Sequence, residues 1–165
     1  MRQKKICMLG SFSVGKTSLV RRFVESIFDE AYHTTIGVKV DQKQMRADGE
    51  DLNLAIWDIF GDDAFQKLPM SYLRGMSGYL LVADGTRRAT YEVGVALVEK
   101  VTEAMGKVPF VFLLNKCDLA DQWEIEPETE KILAGRGWTV MRTSAKTGEL
   151  VEEAFTDLAR AMLAK

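Results

Sequence analysis

Gly10-Ser11-Phe12-Ser13-Val14-Gly15-Lys16-Thr17 follows the apolar run Ile6-Cys7-Met8-Leu9 and leads into Leu19, Val20, Phe23 and Val24, which share one helical face. The stretch reads as strand, glycine loop and helix, the setting in which G-x-x-x-x-G-K-[ST] makes a phosphate cradle. Glycines let the backbone turn tightly, so that successive amide N–H groups aim at phosphate oxygens. The helix beginning near Gly15 adds the positive end of its dipole. The candidate phosphate-binding positions are therefore Gly10, Ser13, Val14, Gly15, Lys16, Thr17 and Ser18. Lys16 would meet the β- and γ-phosphates as a point charge, and the Thr17 hydroxyl would bind Mg²⁺. The alternative is an ordinary loop that holds two glycines. A phosphate loop alone does not say which nucleotide it serves.

The remainder of the chain bounds the setting. At 165 residues it is most simply one domain spanning 1–165, long enough to bury a substantial core. A composition 47% hydrophobic and 28% charged is that of an ordinary globular protein, and a net charge of −2 gives no electrostatic case for nucleic-acid binding. Cys7 and Cys117 cannot build a disulfide framework, which suits a reducing, cytoplasmic compartment. No apolar run reaches the length of a membrane span. The basic start Met1–Lys5 is followed by too short an apolar run for a signal peptide, and Ala161–Lys165 holds no cysteine for a prenyl group. Membrane recruitment would then fall to a partner, and a monomer is the simplest state.

Beyond the first helix, residues 27–37 lack a period and read as a loop. Val38–Ala47 and Leu52–Trp57 read as the arms of a hairpin around Asp48-Gly49, the first arm polar enough for an exposed edge. Asp58–Leu68 is irregular, and Pro69–Met76 contains a short helix. Tyr79–Ala83 and Val108–Leu114 are apolar on both faces, as parallel strands under helices are. Tyr91, Val95, Val98 and Met105 form a helical stripe stopped by Gly106, a weaker helix covers Glu128–Arg136, Trp138–Met141 is a short strand, and Val151–Met162 is a clear amphipathic helix. The alternation predicts an α/β fold of three layers. Its six-stranded sheet is mainly parallel with one antiparallel edge strand, and about five helices cover it. Ligands bind such sheets beyond the carboxyl ends of the strands. The polar clusters at Gly10–Thr17, Asp58, Asn115 and Ser144 all fall there.

Asn115-Lys116-Cys117-Asp118 closes one of the buried strands. An Asp carboxylate can accept two hydrogen bonds from the ring N–H and exocyclic amine of guanine, a pair that adenine does not offer. A nearby Asn amide suits the opposite base edge, and a Lys stem can lie along the base face. A plain polar loop is the competing reading of these four residues taken alone. At this point the whole chain resembles the Ras superfamily of small GTP-binding proteins, with the P-loop NTPase fold. Within it the Rab-like branch is indicated by Ile36-Gly37-Val38, Trp57-Asp58 and Tyr72-Leu73-Arg74-Gly75. The resemblance implies a guanine-nucleotide switch that binds GTP or GDP with Mg²⁺ and hydrolyses GTP. Thr35 would meet Mg²⁺ and the γ-phosphate, Asp58 would hold Mg²⁺ through water, and the Gly61 amide would meet the γ-phosphate. Asn115, Lys116 and Asp118 would hold the guanine, with the Ser144-Ala145-Lys146 loop against its oxygen. Phe28 matches the aromatic packed on the base and Tyr32 the tyrosine over the phosphates. The metal set is then Thr17, Thr35 and Asp58, and the catalytic set Lys16, Thr35, Gly61 and Asp62. An exchange factor, a GTPase-activating protein and effectors would read the switch segments around 27–40 and 59–76.

Three residues depart from the family pattern. Asp62 stands where relatives carry the glutamine that orients the attacking water. An ionised aspartate only accepts hydrogen bonds and adds negative charge near the phosphate. Phe12 stands where relatives commonly carry a small residue, beside the expected γ-phosphate. Val40 replaces a phenylalanine on the strand that typical Rab partners read. Asp62 and Phe12 together predict slow hydrolysis without a partner. They also sustain a second reading, a GTP-bound scaffold with no useful turnover. An ATP-dependent phosphoryl-transfer enzyme is a third, opposed by Asn115 and Asp118. Lone His33 reads as a solvated loop residue and Arg87-Arg88 as a solvated helix start.

Overall fold

The computed structural model describes residues 1–25, 37–60 and 70–164. The expected loop over 27–37 falls outside these residues except for Gly37, and the irregular stretch after Phe60 falls outside them up to Pro69. Phe28, Tyr32, His33, Thr35, Ile36, Gly61, Asp62 and Asp63 lie outside them as well.

Six strands form one sheet: β1 (Arg2–Gly10), β2 (Gly37–Ala47), β3 (Glu50–Phe60), β4 (Gly78–Asp84), β5 (Phe110–Asn115) and β6 (Val140–Thr143). Their order is β2-β3-β1-β4-β5-β6. Only β2 runs antiparallel to its neighbour, because Asp48 and Gly49, at φ +49 and +78, make a two-residue turn that leaves Ala47 opposite Glu50. The parallel pairs β1–β3, β1–β4, β4–β5 and β5–β6 complete the sheet. From β1 the chain first moves toward β2 and β3, then returns across the sheet to β4. The end of β1 is therefore the switch point at which such sheets open a crevice.

Alternation along the central strands divides the core in two. Ile6, Met8, Leu80, Val82, Val111 and Leu113 face α1 (Lys16–Glu25) and the last helix (Val151–Leu163). Cys7, Leu9, Tyr79, Leu81, Phe112 and Leu114 face the helix Arg88–Met105 on the other side. Numbered along the chain, the helices are α1, a single turn α2 (Met70–Leu73), α3 (Arg88–Met105), α4 (Pro127–Gly135) and α5 (Val151–Leu163), with a 3₁₀ segment at Cys117–Gln122. This is the expected three-layer α/β architecture. Among the described residues no helix is long and apolar enough to cross a membrane.

Three boundaries differ from the sequence pattern, each because pairing overrides local composition. β3 continues through Asp58 to Phe60, since Asp58 lies between Met8 of β1 and Lys39 of β2. β5 begins at Phe110, two residues later than the apolar run suggests. β6 is Val140–Thr143, because its register pairs Val140 with Phe112 and Thr143 with Asn115. Trp138 instead packs its ring on Phe110 and Phe112.

Phe23 of α1 and Phe155 of α5 stack with ring centroids 3.8 Å apart and both rings buried. This contact joins the helix that carries the phosphate-loop motif to the C-terminal helix. Phe155→Ala is expected to cost about 3–5 kcal/mol of unfolding free energy in urea; a loss under about 1 kcal/mol would show that the helices are held together elsewhere.

Candidate functional site

The loop between β1 and α1 is fixed by the strands beside it. A Cβ on Gly10, at φ +148, would sit 2.2 Å from the Val82 carbonyl oxygen of β4. A Cβ on Gly15, at φ +101, would sit 2.3 Å from the Asn115 amide nitrogen. Both glycines of the motif are thus demanded by close approach as well as by backbone angle.

Five consecutive carbonyls of this loop each accept a hydrogen bond from a side chain. Lys16 Nζ donates to Gly10 at 2.9 Å and to Ser11 at 3.1 Å. Arg87 Nη2 donates to Phe12 at 3.0 Å, Lys116 Nζ to Ser13 at 3.1 Å, and Asn115 Nδ2 to Val14 at 3.0 Å. A trans peptide is planar, with its N–H opposite its C=O. Holding a carbonyl therefore aims the N–H of the following residue. α1 begins at Lys16, so its first N–H groups have no acceptor within the helix. The result is a backbone whose donors are set before any ligand arrives.

Two charged groups beside the loop, Lys16 of α1 and Asp58 of β3, are strained by burial. Burial pushes the Lys16 ammonium down from 10.5 to about 8, against the pull of the nearby Asp58 carboxylate. Burial also raises the Asp58 carboxyl, against the Thr17 hydrogen bond and the Lys16 charge. Thr17 Oγ1 donates to Asp58 Oδ2 at 2.6 Å, while Asp58 Oδ1 is buried with no hydrogen-bond partner among the described residues. An anion beside Lys16 and a cation beside Thr17 and Asp58 would relieve both groups. One hydroxyl and one carboxylate are hard oxygen donors, so the pair fits a cation such as Mg²⁺.

The second half of the site stands at the ends of β5 and β6. Asn115 is buried, and besides gripping Val14 it accepts from Thr143 Oγ1 at 3.1 Å. Lys116 takes a left-handed conformation at φ +73 and pairs with Asp84 at 3.0 Å. Asp118 accepts from Ser144 Oγ at 2.7 Å, and the same oxygen accepts the Thr147 N–H at 3.0 Å. Ala145 is buried, and its carbonyl accepts from Arg22 Nε at 3.0 Å; Arg22 also donates through Nη2 to the Lys146 carbonyl. An arginine of α1 thereby ties the loop Ser144–Lys146 to the helix that starts at the phosphate-loop motif.

Among the described candidates, Gly10 through Ser18 and Asp58 thus stand at the same carboxyl edge of the sheet as Asn115, Lys116, Asp118 and Ser144–Lys146. Sequence reasoning missed Arg22, Thr143 and Asp84, and it read Arg87 as solvated. Arg87 is half exposed, yet it bonds both Asp84 and the loop. Asp84 was visible in principle: it ends an apolar strand as Asn115 does, and the two are paired across β4 and β5.

A sequence profile of the Ras family matches residues 5–164. The human Ras-related protein Rab-8B is 34% identical over 163 residues, covering 98% of this chain and 79% of that protein. The Ras-related protein Rab-10 of Caenorhabditis elegans is 35% identical over 163 residues, covering 98% and 81%.

Because a Cβ at Gly15 would displace Asn115, Gly15→Ala should lower the urea unfolding free energy by roughly 1–3 kcal/mol. Gly49→Ala, with φ +78 but open space around it, is the comparison. Equal losses for the two would show that backbone strain alone, rather than the Asn115 contact, sets the requirement at Gly15.

Proposed function

This chain is a member of the Ras family, with Rab proteins among its relatives, and on that footing we propose that it is a Mg²⁺-dependent guanine-nucleotide switch with slow intrinsic GTP hydrolysis. The Ras and Rab family is one of GTP-binding GTPases whose regulators and effectors engage the switch regions. The finer reading rests on one observation above all. A loop whose carbonyls are all held faces a buried lysine and a Thr17–Asp58 pair, next to an Asn115–Asp118 segment.

In this reading the Gly10–Ser18 backbone and Lys16 bind the phosphates. Thr17 and Asp58, with Thr35, would hold Mg²⁺, which would neutralise phosphate charge. Asp118 accepts the two donors on the guanine edge, and the rotation of its carboxylate is limited by Ser144. The Lys116 stem would cover one face of the base, Phe28 would pack against the ring, and Tyr32 would cover the phosphates. Loss of the γ-phosphate would release Thr35 and Gly61, so exchange factors, activators and effectors would distinguish the two nucleotide states through the segments that contain them. The chain would do this as one monomeric G domain over 1–165, without nucleic acid, in the cytoplasm or at a membrane reached through a partner.

Asp62 makes hydrolysis slow because a carboxylate cannot donate to the charge that develops on the γ-phosphate. Phe12 adds bulk where an arginine from an activator would enter. The same two residues favour, as a second reading, a GTP-bound scaffold without useful turnover.

Single-turnover hydrolysis of GTP by the purified chain tests the slow-switch reading. The expected rate is at least about tenfold below that of glutamine-bearing relatives, a barrier difference of about 1.4 kcal/mol. A rate equal to theirs contradicts it, and no turnover over the life of the protein selects the scaffold. Asp62→Gln should accelerate turnover by about tenfold if the carboxylate is the limit; an unchanged rate moves the limit to Phe12 or elsewhere.

A further inference from the structure

We propose that Arg87, braced by Asp84, is a positioning residue that sets how tightly the phosphate loop retains its nucleotide. The inference rests on the nucleotide-binding reading above and goes beyond it. Arg87 belongs to none of the segments that define the phosphate, metal or base sites. It still supplies one of the five side-chain grips on the loop, the one at Phe12.

The geometry suits that task. Asp84 closes β4 with its side chain only 2% exposed. Its Oδ1 accepts from the Thr86 N–H at 2.8 Å and the Thr86 hydroxyl at 2.7 Å. Its Oδ2 receives Arg87 Nε at 3.0 Å and Lys116 Nζ at 3.0 Å. Burial alone would raise the Asp84 carboxyl, but the bonds from Thr86, Lys116 and Arg87 outweigh it and hold the group below the ordinary carboxylate range. One anion thus orients two cations, and these grip the neighbouring carbonyls of Phe12 and Ser13. The planar guanidinium reaches two acceptors at once, Nε toward Asp84 and Nη2 toward Phe12.

The frame behind Arg87 is also fixed. Thr90 Oγ1 accepts the Asp84 N–H at 2.8 Å and donates toward the Arg87 carbonyl at 2.7 Å. The Arg88 N–H at the start of α3 donates to Glu124 Oε1 at 2.8 Å. The end of the link that carries Arg87 is therefore firmly placed. With the Phe12 carbonyl held outward, the Ser13 N–H is turned to the opposite side of the same peptide plane. Ser13 itself lies at φ +60, a conformation that an unheld serine seldom keeps. Without Arg87 the Phe12–Ser13 peptide can rotate, and a donor aimed at the phosphates is lost for part of the time.

The test is release of a fluorescent GDP from Mg²⁺-loaded protein chased with excess GDP, repeated with the inosine analogue, which lacks the exocyclic amine. Arg87→Ala and Arg87→Met should speed release about three- to tenfold, less than full loss of a hydrogen bond to a bound anion would give, because the Ser13 donor is lost only part of the time. The factor should be the same for GDP and the inosine analogue, because Arg87 acts at the phosphate end and leaves base discrimination alone. Arg87→Lys keeps the charge without the fork and should fall between. A change within about twofold for both truncations overturns the proposal. A factor that differs between the two bases also overturns it, because it would mark general loosening of the site. Failure of the unmodified protein to retain GDP would instead remove the nucleotide-binding premise, and the inference with it.

Discussion

Everything at this site depends on the way the backbone of Gly10–Val14 is held. A loop of successive turns leaves its carbonyls without strand or helix partners, and unpaired buried peptide groups cost free energy. Here each carbonyl is taken by a side chain: Lys16 for the first two, then Arg87, Lys116 and Asn115. Arg87 follows the end of β4, while Asn115 and Lys116 stand at the end of β5, one strand further on. The parallel sheet is what makes this possible, since it brings the ends of β1, β4 and β5 to one edge. Fold and site are joined most closely where Asn115 crosses from β5 to Val14 and bars a side chain at Gly15.

The same arrangement buries charge at the site. Lys16 and Asp58 are both pushed toward their neutral forms by burial, and Asp58 Oδ1 lacks a partner among the described residues. Packed cores do not maintain such groups for stability alone. A ligand of complementary charge would recover the stability lost here, which would link binding to local order. Arg22 extends the linkage to the other half of the site, because α1 carries both Lys16 and the arginine that holds the Ala145 and Lys146 carbonyls.

Much of this was legible in the chain. The apolar runs ending in Asp84 and Asn115, and the strand–loop–helix around Gly10–Thr17, fixed the layers and the edge where polar groups gather, because side-chain periodicity survives in sequence. Asn115, Lys116 and Asp118 stood out as candidates because the donor pattern of guanine constrains residue type and spacing. Arg22, Arg87 and Thr143 could not be read in this way. Each acts across more than 25 residues of sequence or onto a backbone carbonyl, and any residue type presents that acceptor. The ends of β3 and β6 were misread for a related reason. Asp58 and Arg142 look like loop residues locally, yet ladder partners on neighbouring strands decide their place.

In the proposed reading, one prearranged loop and one base-reading segment together select a guanine nucleotide. Calorimetric titration of nucleotide-stripped protein with GDP in Mg²⁺, with ADP as the parallel ligand, addresses it most directly. One-to-one GDP binding that weakens when Mg²⁺ is chelated is expected, with ADP weaker by at least about a hundredfold, or roughly 2.7 kcal/mol. Comparable affinities for GDP and ADP would contradict it, because the Asn115–Asp118 segment would then not read the base.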